Sequence, residues 1–173
     1  AKCWGQNLFG QLGDGTTDQH SAPVDVYGLT SSVYAISAGE QHTCAMTTSY
    51  GAKCWGANTY GQLGDGTNNP HSTPANVNGL TSGVYAISAG NFHTCAKTSS
   101  GGMKCWGKNT ESQLGDGTTN NRNTPVDVTN LTSGVAWIAS GISHTCAVTT
   151  SGRAKCWGQH YTLGRLGDGT TLP

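Results

Sequence analysis

The chain has 173 residues, of which 10% are charged, and nine basic and nine acidic side chains leave a formal charge of zero. A chain without a basic field is a poor match for nucleic acid or an anionic membrane surface. No apolar run approaches the roughly 18 residues that a membrane-crossing helix requires. With 26 glycines, 39 serines and threonines and 35% hydrophobic residues, the composition describes short elements, many turns and a thin core.

In chain order, the first strand signal is Cys3-Trp4-Gly5, followed by a glycine-rich loop through Gly13-Asp14-Gly15. A short strand is predicted near Val24-Asp25-Val26, after Pro23, where no ladder donor is needed. Val33–Ala38 reads as a strand ended by Gly39, Thr43–Thr47 as a second, and Ala52–Trp55 as a third after a tight turn at Ser49-Tyr50-Gly51. The order then starts again. Cys-Trp-Gly begins at Cys3, Cys54, Cys105 and Cys156, a period of 51, and His-Thr-Cys-Ala recurs at His42, His93 and His144. Leu-Gly-Asp-Gly-Thr recurs at Leu12, Leu63, Leu114 and Leu166, the last copy carrying one extra residue within Tyr161–Gly164. About four short strands per 50 residues, with no helical periodicity, is the arithmetic of a β-propeller blade. The expected fold is therefore all-β, with tandem blades of about four antiparallel strands filling residues 1–173 as three full repeats and a partial fourth. Both ends are expected to be cut from a longer array.

The seven cysteines form two series, Cys44, Cys95 and Cys146, each ten residues before Cys54, Cys105 and Cys156. Folding Thr43–Trp55 as a hairpin puts Cys44 opposite Cys54, close enough to bridge. The pairs predicted are 44–54, 95–105 and 146–156, with Cys3 lacking a partner that a preceding copy would supply. Two other readings are open at this level. The cysteines could be reduced and packed as small hydrophobes, or His42, Cys44 and Cys54 could hold zinc, although a fourth ligand and close Cys-x-x-Cys spacing are absent. Regular bridging implies an oxidising compartment, hence an extracellular or cell-surface protein.

The remaining recurrent residues have competing readings. Trp4, Trp55, Trp106 and Trp157 fit an inter-blade core, and the histidines fit polar groups satisfied by a neighbouring turn. Asp14, Asp65, Asp116 and Asp168 suggest calcium. Yet one carboxylate per loop is far from the ligand count calcium takes, and Asp flanked by Gly is also turn chemistry. In the third copy Trp137 moves the aromatic to the other strand face, either as an exposed anchor or as a compensated packing swap, and the packing swap is the reading preferred. Asn130-Leu131-Thr132 is a glycosylation sequon.

Partner choice is expected where the copies differ. Those positions include Glu40-Gln41, Asn91-Phe92 and Ile142-Ser143 in the turn after Ala-Gly. Phe9, Tyr60, Glu111 and Tyr161 follow Cys-Trp-Gly, and Arg122 precedes the proline. No Ser-His-Asp, paired-carboxylate or phosphate-loop constellation stands out, so neither an enzyme nor a cofactor is expected.

Ala38-Gly39-x-x-His42-Thr43, the hairpin to Cys54-Trp55-Gly56, and Asn58-x-x-Gly61-Gln62-Leu63-Gly64 together resemble the regulator of chromosome condensation repeat family, through all the copies. The paired cysteines and Gly-Asp-Gly-Thr look like a secreted bacterial branch of it. The resemblance implies seven-bladed propellers of about 50 residues per repeat. Three periods would form part of such a ring, or of an open assembly. In that family the eukaryotic founder is a nucleotide-exchange factor for a small GTPase, and a secreted bacterial relative inhibits β-lactamase through one propeller face. The function expected is a non-catalytic extracellular scaffold for protein or carbohydrate binding or adhesion. The alternatives are a structural subunit of an extracellular fibre that joins copies of itself, and a protein inhibitor acting through one face.

Overall fold

The computed structural model describes residues 1–159 and 166–167. Thirteen strands run through these residues and no helix does. In chain order they are β1 Lys2–Gly5, β2 His20–Asp25, β3 Val33–Ala38, β4 His42–Thr47, β5 Ala52–Gly56, β6 His71–Asn76, β7 Val84–Ala89, β8 His93–Thr98, β9 Met103–Gly107, β10 Arg122–Asp127, β11 Val135–Ser140, β12 His144–Thr149 and β13 Ala154–Gly158. They form antiparallel sheets ordered β3-β4-β5-β6 and β7-β8-β9-β10, flanked by β1-β2 and by β11-β12-β13. Two complete four-stranded blades thus stand between two shorter sheets.

The fourth strand of each blade begins earlier than the sequence suggests. β2 starts at His20 and contains Pro23, and Pro74 and Pro125 sit likewise inside β6 and β10. These are outer edge strands, and their ladders shift register between Cys3 and Gly5, Cys54 and Gly56, and Arg122 and Val126. An edge strand with a bulge loses nothing to a residue without an N–H.

In the central hairpins Cys44 pairs with Cys54, Cys95 with Cys105 and Cys146 with Cys156 across the ladder. Each pair is bonded, with Cα atoms 4.1 Å apart. Bridging takes the thiols that the reduced and zinc readings need. Among the described residues no group of three His, Cys, Asp or Glu side chains converges on a metal position. Cys3 is a free thiol, half-buried, and burial pushes its pKa up, which makes it a poor nucleophile. Replacing Cys95 and Cys105 together by Ser is expected to cost about 2.5–3 kcal/mol, the chain-entropy value of an 11-residue loop. Denaturant midpoints measure it, and non-reducing intact mass checks the bonding state. Alkylation without reductant that modifies all seven cysteines, rather than Cys3 alone, would contradict the bonded hairpins.

Strand alternation gives each blade two unlike faces. Cys44, Met46 and Cys54 of one blade meet Ala96 and Trp106 of the next in a buried cluster with Leu63, Val77 and Val84. Trp55, on the opposite face from Cys54, packs backwards against Val26 and Leu29. The pattern repeats with Cys95, Met103 and Cys105 facing Ala147 and Trp157. Trp55 and Trp106 are fully buried, whereas Trp4 is 61% exposed, because among the described residues no sheet packs behind β1–β2. Trp137 also departs from the packing reading, being 73% exposed. It replaces Ala35 and Ala86, whose strand face points toward the following blade, and no described sheet covers that face of β11.

Candidate functional site

Two hydrogen-bond systems recur from blade to blade and explain the polar positions that repeat between the copies. The first crosses between blades. His42 Nε2 lies 2.9 Å from Thr94 Oγ1, and Thr94 Oγ1 donates to the Gln62 carbonyl at 2.9 Å. The hydroxyl proton is thereby used, so the imidazole Nε2–H is the donor, a tautomer fixed by the network. Trp106 Nε1–H donates to the same Gln62 carbonyl at 2.9 Å. His93, Thr145, Gln113 and Trp157 repeat the arrangement one blade on. Burial, and then the neighbouring imidazole, lower His42 to about 3 and His93 to about 4, so both rings are neutral. Gly39 and Gly90 are required because a Cβ there would lie 2.5 and 2.4 Å from the His42 and His93 rings. The partner foreseen for these histidines was a nearby turn; the actual partner is a threonine on the next blade.

The second system ties each glycine-rich loop into a knot. Asp65 accepts from the Thr67 N–H, the Thr67 hydroxyl, Asn58 Nδ2 and His71 Nε2, all within 3.2 Å. Burial works to raise its pKa, but those donors outweigh it and hold the carboxylate below its ordinary range. Asp14 with Asn7 and His20 forms the same knot, as does Asp116 with Asn109 and Arg122. The carboxylates therefore serve the loop as turn anchors. Asp168, the fourth copy, lies outside the described residues. The sequence reading quoted Asn58 in the repeat motif but gave no role to it or to Asn7 and Asn109, which recur at the repeat period.

The antiparallel order places the β3–β4, β7–β8 and β11–β12 turns on the same rim as the loops leaving β1, β5 and β9. Seven of the eight sequence-predicted interaction residues belong to segments that start or end on this rim: Phe9, Gln41, Tyr60, Phe92, Glu111, Arg122 and Ile142. Tyr161 lies outside the described residues. The structure brings Tyr60 and Phe92 together, ring centroids 5.4 Å apart and tilted by 57°. Lys108 Nζ sits 5.6 Å from the Tyr60 ring and 6.0 Å from the Phe92 ring, a shared cation–π contact. Lys108 was not foreseen, although Gln6 and Ala57 at its position in other copies mark it as variable. The aromatic loops are pre-set: Phe9, Tyr60 and Glu111 each donate their N–H to the side-chain oxygen two residues on, at Gln11, Gln62 and Gln113. Beside them, the inner turns enclose a depression of about 360 Å³ bordered by Glu40, Asn91 and Ile142. Phe9 and Ile142 are exposed. Arg122 is engaged instead, its Nε–H donating to Asp116 at 2.8 Å. Asn130, the sequon residue, stands exposed in a turn on the opposite rim with φ of 60°.

The family model described as the regulator of chromosome condensation (RCC1) repeat matches residues 3–46, 54–96 and 100–148, and a second of the same description matches 33–62, 84–113 and 136–161. The chain belongs to the RCC1 repeat family. Its RCC1 repeats are 37% identical over 151 residues to the human E3 ubiquitin-protein ligase HERC2, covering 86% of this chain and 3% of that protein. They are 35% identical over 174 residues to the human probable E3 ubiquitin-protein ligase HERC4, covering 98% of this chain and 16% of that protein. The chain thus spans a small part of these relatives' length. The RCC1 fold itself is shared with human WBSCR16 at a TM-score of 0.83 and 24% identity, over 98% of this chain and 44% of that one. Yeast Prp20p, solved in a study of its binding to Gsp1p and histones, matches at 0.77 and 23%, over 91% and 41%.

Proposed function

We propose that these repeats are part of a non-catalytic extracellular scaffold that holds a protein ligand on the rim carrying Tyr60, Phe92 and Lys108. The Tyr60–Phe92–Lys108 cluster carries the reading. It joins two aromatic rings and a cation, and the Tyr60 backbone is already held by the Gln62 side chain. Aromatic anchors on rigid supports lose little entropy on binding and dominate protein interfaces. RCC1-repeat propellers are interaction folds, and the binding of Prp20p to Gsp1p and histones is an instance in a relative. The disulfides support a secreted or cell-surface location, as in the secreted bacterial branch that the sequence resembles. Adhesion and inhibition of a partner enzyme are both forms this binding could take, because each needs one presented face. Asn130 would then be open to a glycosylating host.

The test is capture from an extracellular fraction on the immobilised chain, compared with the double variant Tyr60→Ala, Phe92→Ala. Capture is expected to fall at least about tenfold while the melting temperature stays put, as for loss of hot-spot side chains. Capture that survives the double variant would reject this rim. Light scattering on the same preparation separates the fibre reading, which requires long polymers.

A further inference from the structure

The opposite rim carries an aromatic ladder that the repeat does not need. Tyr50, in the β4–β5 turn, has its ring 6.4 Å from Tyr34 at the start of β3 and 5.0 Å from Tyr85 at the start of β7. The Tyr50–Tyr85 planes are inclined by only 23°. Tyr34, Tyr50 and Tyr85 are 68%, 41% and 53% exposed, so the three rings form a surface step across two blades.

Tyr50 occupies a costly backbone position. Its φ is 61°, and at the same place in the next two repeats stand Gly101 and Gly152, with φ of 74° and 79°. Ser32, Ser112 and Asn130 also replace glycines at positive φ, but they are small polar residues that tolerate the left-handed region. A bulky ring there is a true outlier, and such strain points toward a use for the side chain. Packing supplies none, since the ring lies on the surface and the turn closes equally well around glycine two repeats on.

The surroundings say what the ladder suits. Residues 27–35, 47–52, 78–86 and 98–103 contain no charged side chain and are rich in serine and threonine. Beside Tyr85, where Gly101 leaves the next ring out, lies a depression of about 250 Å³ lined by Lys97, Thr98, Ser99 and Thr150. The Lys97 ammonium is engaged by the Ala136 carbonyl at 3.2 Å. Stacked rings beside a hydroxyl-lined cup match a ligand with an apolar C–H face and many neutral hydroxyls. Basic partners find no complementary charge there, and the single Lys97 ammonium in the lining is turned to the Ala136 carbonyl.

We propose that Tyr34, Tyr50 and Tyr85, with the cup at Ser99 and Thr150, form a binding site for a neutral oligosaccharide. The site is independent of the protein-binding rim, since no residue is shared.

The experiment titrates the 173-residue chain with cellohexaose, maltoheptaose and laminarihexaose, following intrinsic fluorescence, with heparin and a decaproline peptide as counter-probes. At least one oligosaccharide is expected to bind saturably. Tyr50→Gly installs the residue that the other repeats carry, so its melting temperature is expected to hold or rise. Its affinity is expected to fall about tenfold, the scale of one lost aromatic contact. Tyr85→Ala is expected to weaken binding similarly, whereas Tyr60→Ala is expected to leave it unchanged. Failure of all three oligosaccharides to bind, or binding that survives Tyr50→Gly, overturns the proposal. So does saturable binding of heparin or decaproline alone. A Tyr50→Gly chain with lowered stability and intact sugar affinity would assign the ring to packing.

Discussion

Trp106→Ala is expected to lower stability by about 3–5 kcal/mol, the range for deleting a fully buried large aromatic. The indole is buried in the cluster that joins the two complete blades, so its loss opens a cavity at the junction rather than within one sheet. Two further losses coincide. Gly64 lies directly over the ring, where a Cβ would come within 2.6 Å of Nε1, so this residue has no side chain to move into the void. The Gln62 carbonyl also loses one of its two donors and keeps only Thr94. Urea denaturation followed by circular dichroism measures the change. Trp106→Phe, which keeps most of the volume but not the N–H, is expected to cost clearly less. If both substitutions left the midpoint within error of the parent, the blade junction would not rest on this ring.

Acid is expected to loosen the same junctions. In the unfolded chain His42 and His93 titrate near 6.5, whereas in the fold they are lowered to about 3 and about 4. Between these values the unfolded chain binds more protons than the folded one, so stability falls as pH falls. The contribution is fully present above about 6.5 and is lost progressively down to about 4 and then 3. Two such groups amount to roughly 6 kcal/mol between pH 7 and pH 4. The cause is specific: a protonated imidazole would sit in the blade interface with its second N–H against Gly39 or Gly90. Below about pH 4 the anchored Asp14, Asp65 and Asp116 add a loss of the same sign, because their folded pKa values are lowered as well. Urea midpoints across pH 4–8 measure the slope, and the double variant His42→Gln, His93→Gln is expected to flatten it above pH 4. An unchanged slope in that variant would locate the acid sensitivity elsewhere.

What the sequence made legible follows from how far apart the interacting residues lie along the chain. The cysteine pairing depends on a ten-residue hairpin, and the ladder register opposes Cys44 to Cys54 through a single tight turn. The blade faces were legible too, because Trp55 follows Cys54 and strand alternation must separate them. The inter-blade burial of Trp55 and Trp106 was legible as well, but the polar contacts across blades were not. His42 and Thr94 are 52 residues apart, and their meeting depends on how one blade is rotated on the next. Trp137 was misjudged for the same reason: alternation gave the correct strand face, but whether another sheet covers that face is a tertiary fact. Among the candidate interaction residues, variation between copies located Tyr60 and Phe92. It could not show that Lys108 joins them or that Arg122 is committed to Asp116.

The bridged hairpins also set how this chain would respond to being pulled. A blade torn open by tension would release its 51-residue period except for the loop that the disulfide closes. The slack gained per blade would be about 140 Å rather than about 175 Å of extended chain. Force would enter the loop between blades and the two outer strands, bypassing the Cys44–Cys54 hairpin, which would survive as a folded knot from which the blade could re-form. Repeats of this kind under tension would thereby yield in short steps and keep a seed of each bridged blade intact.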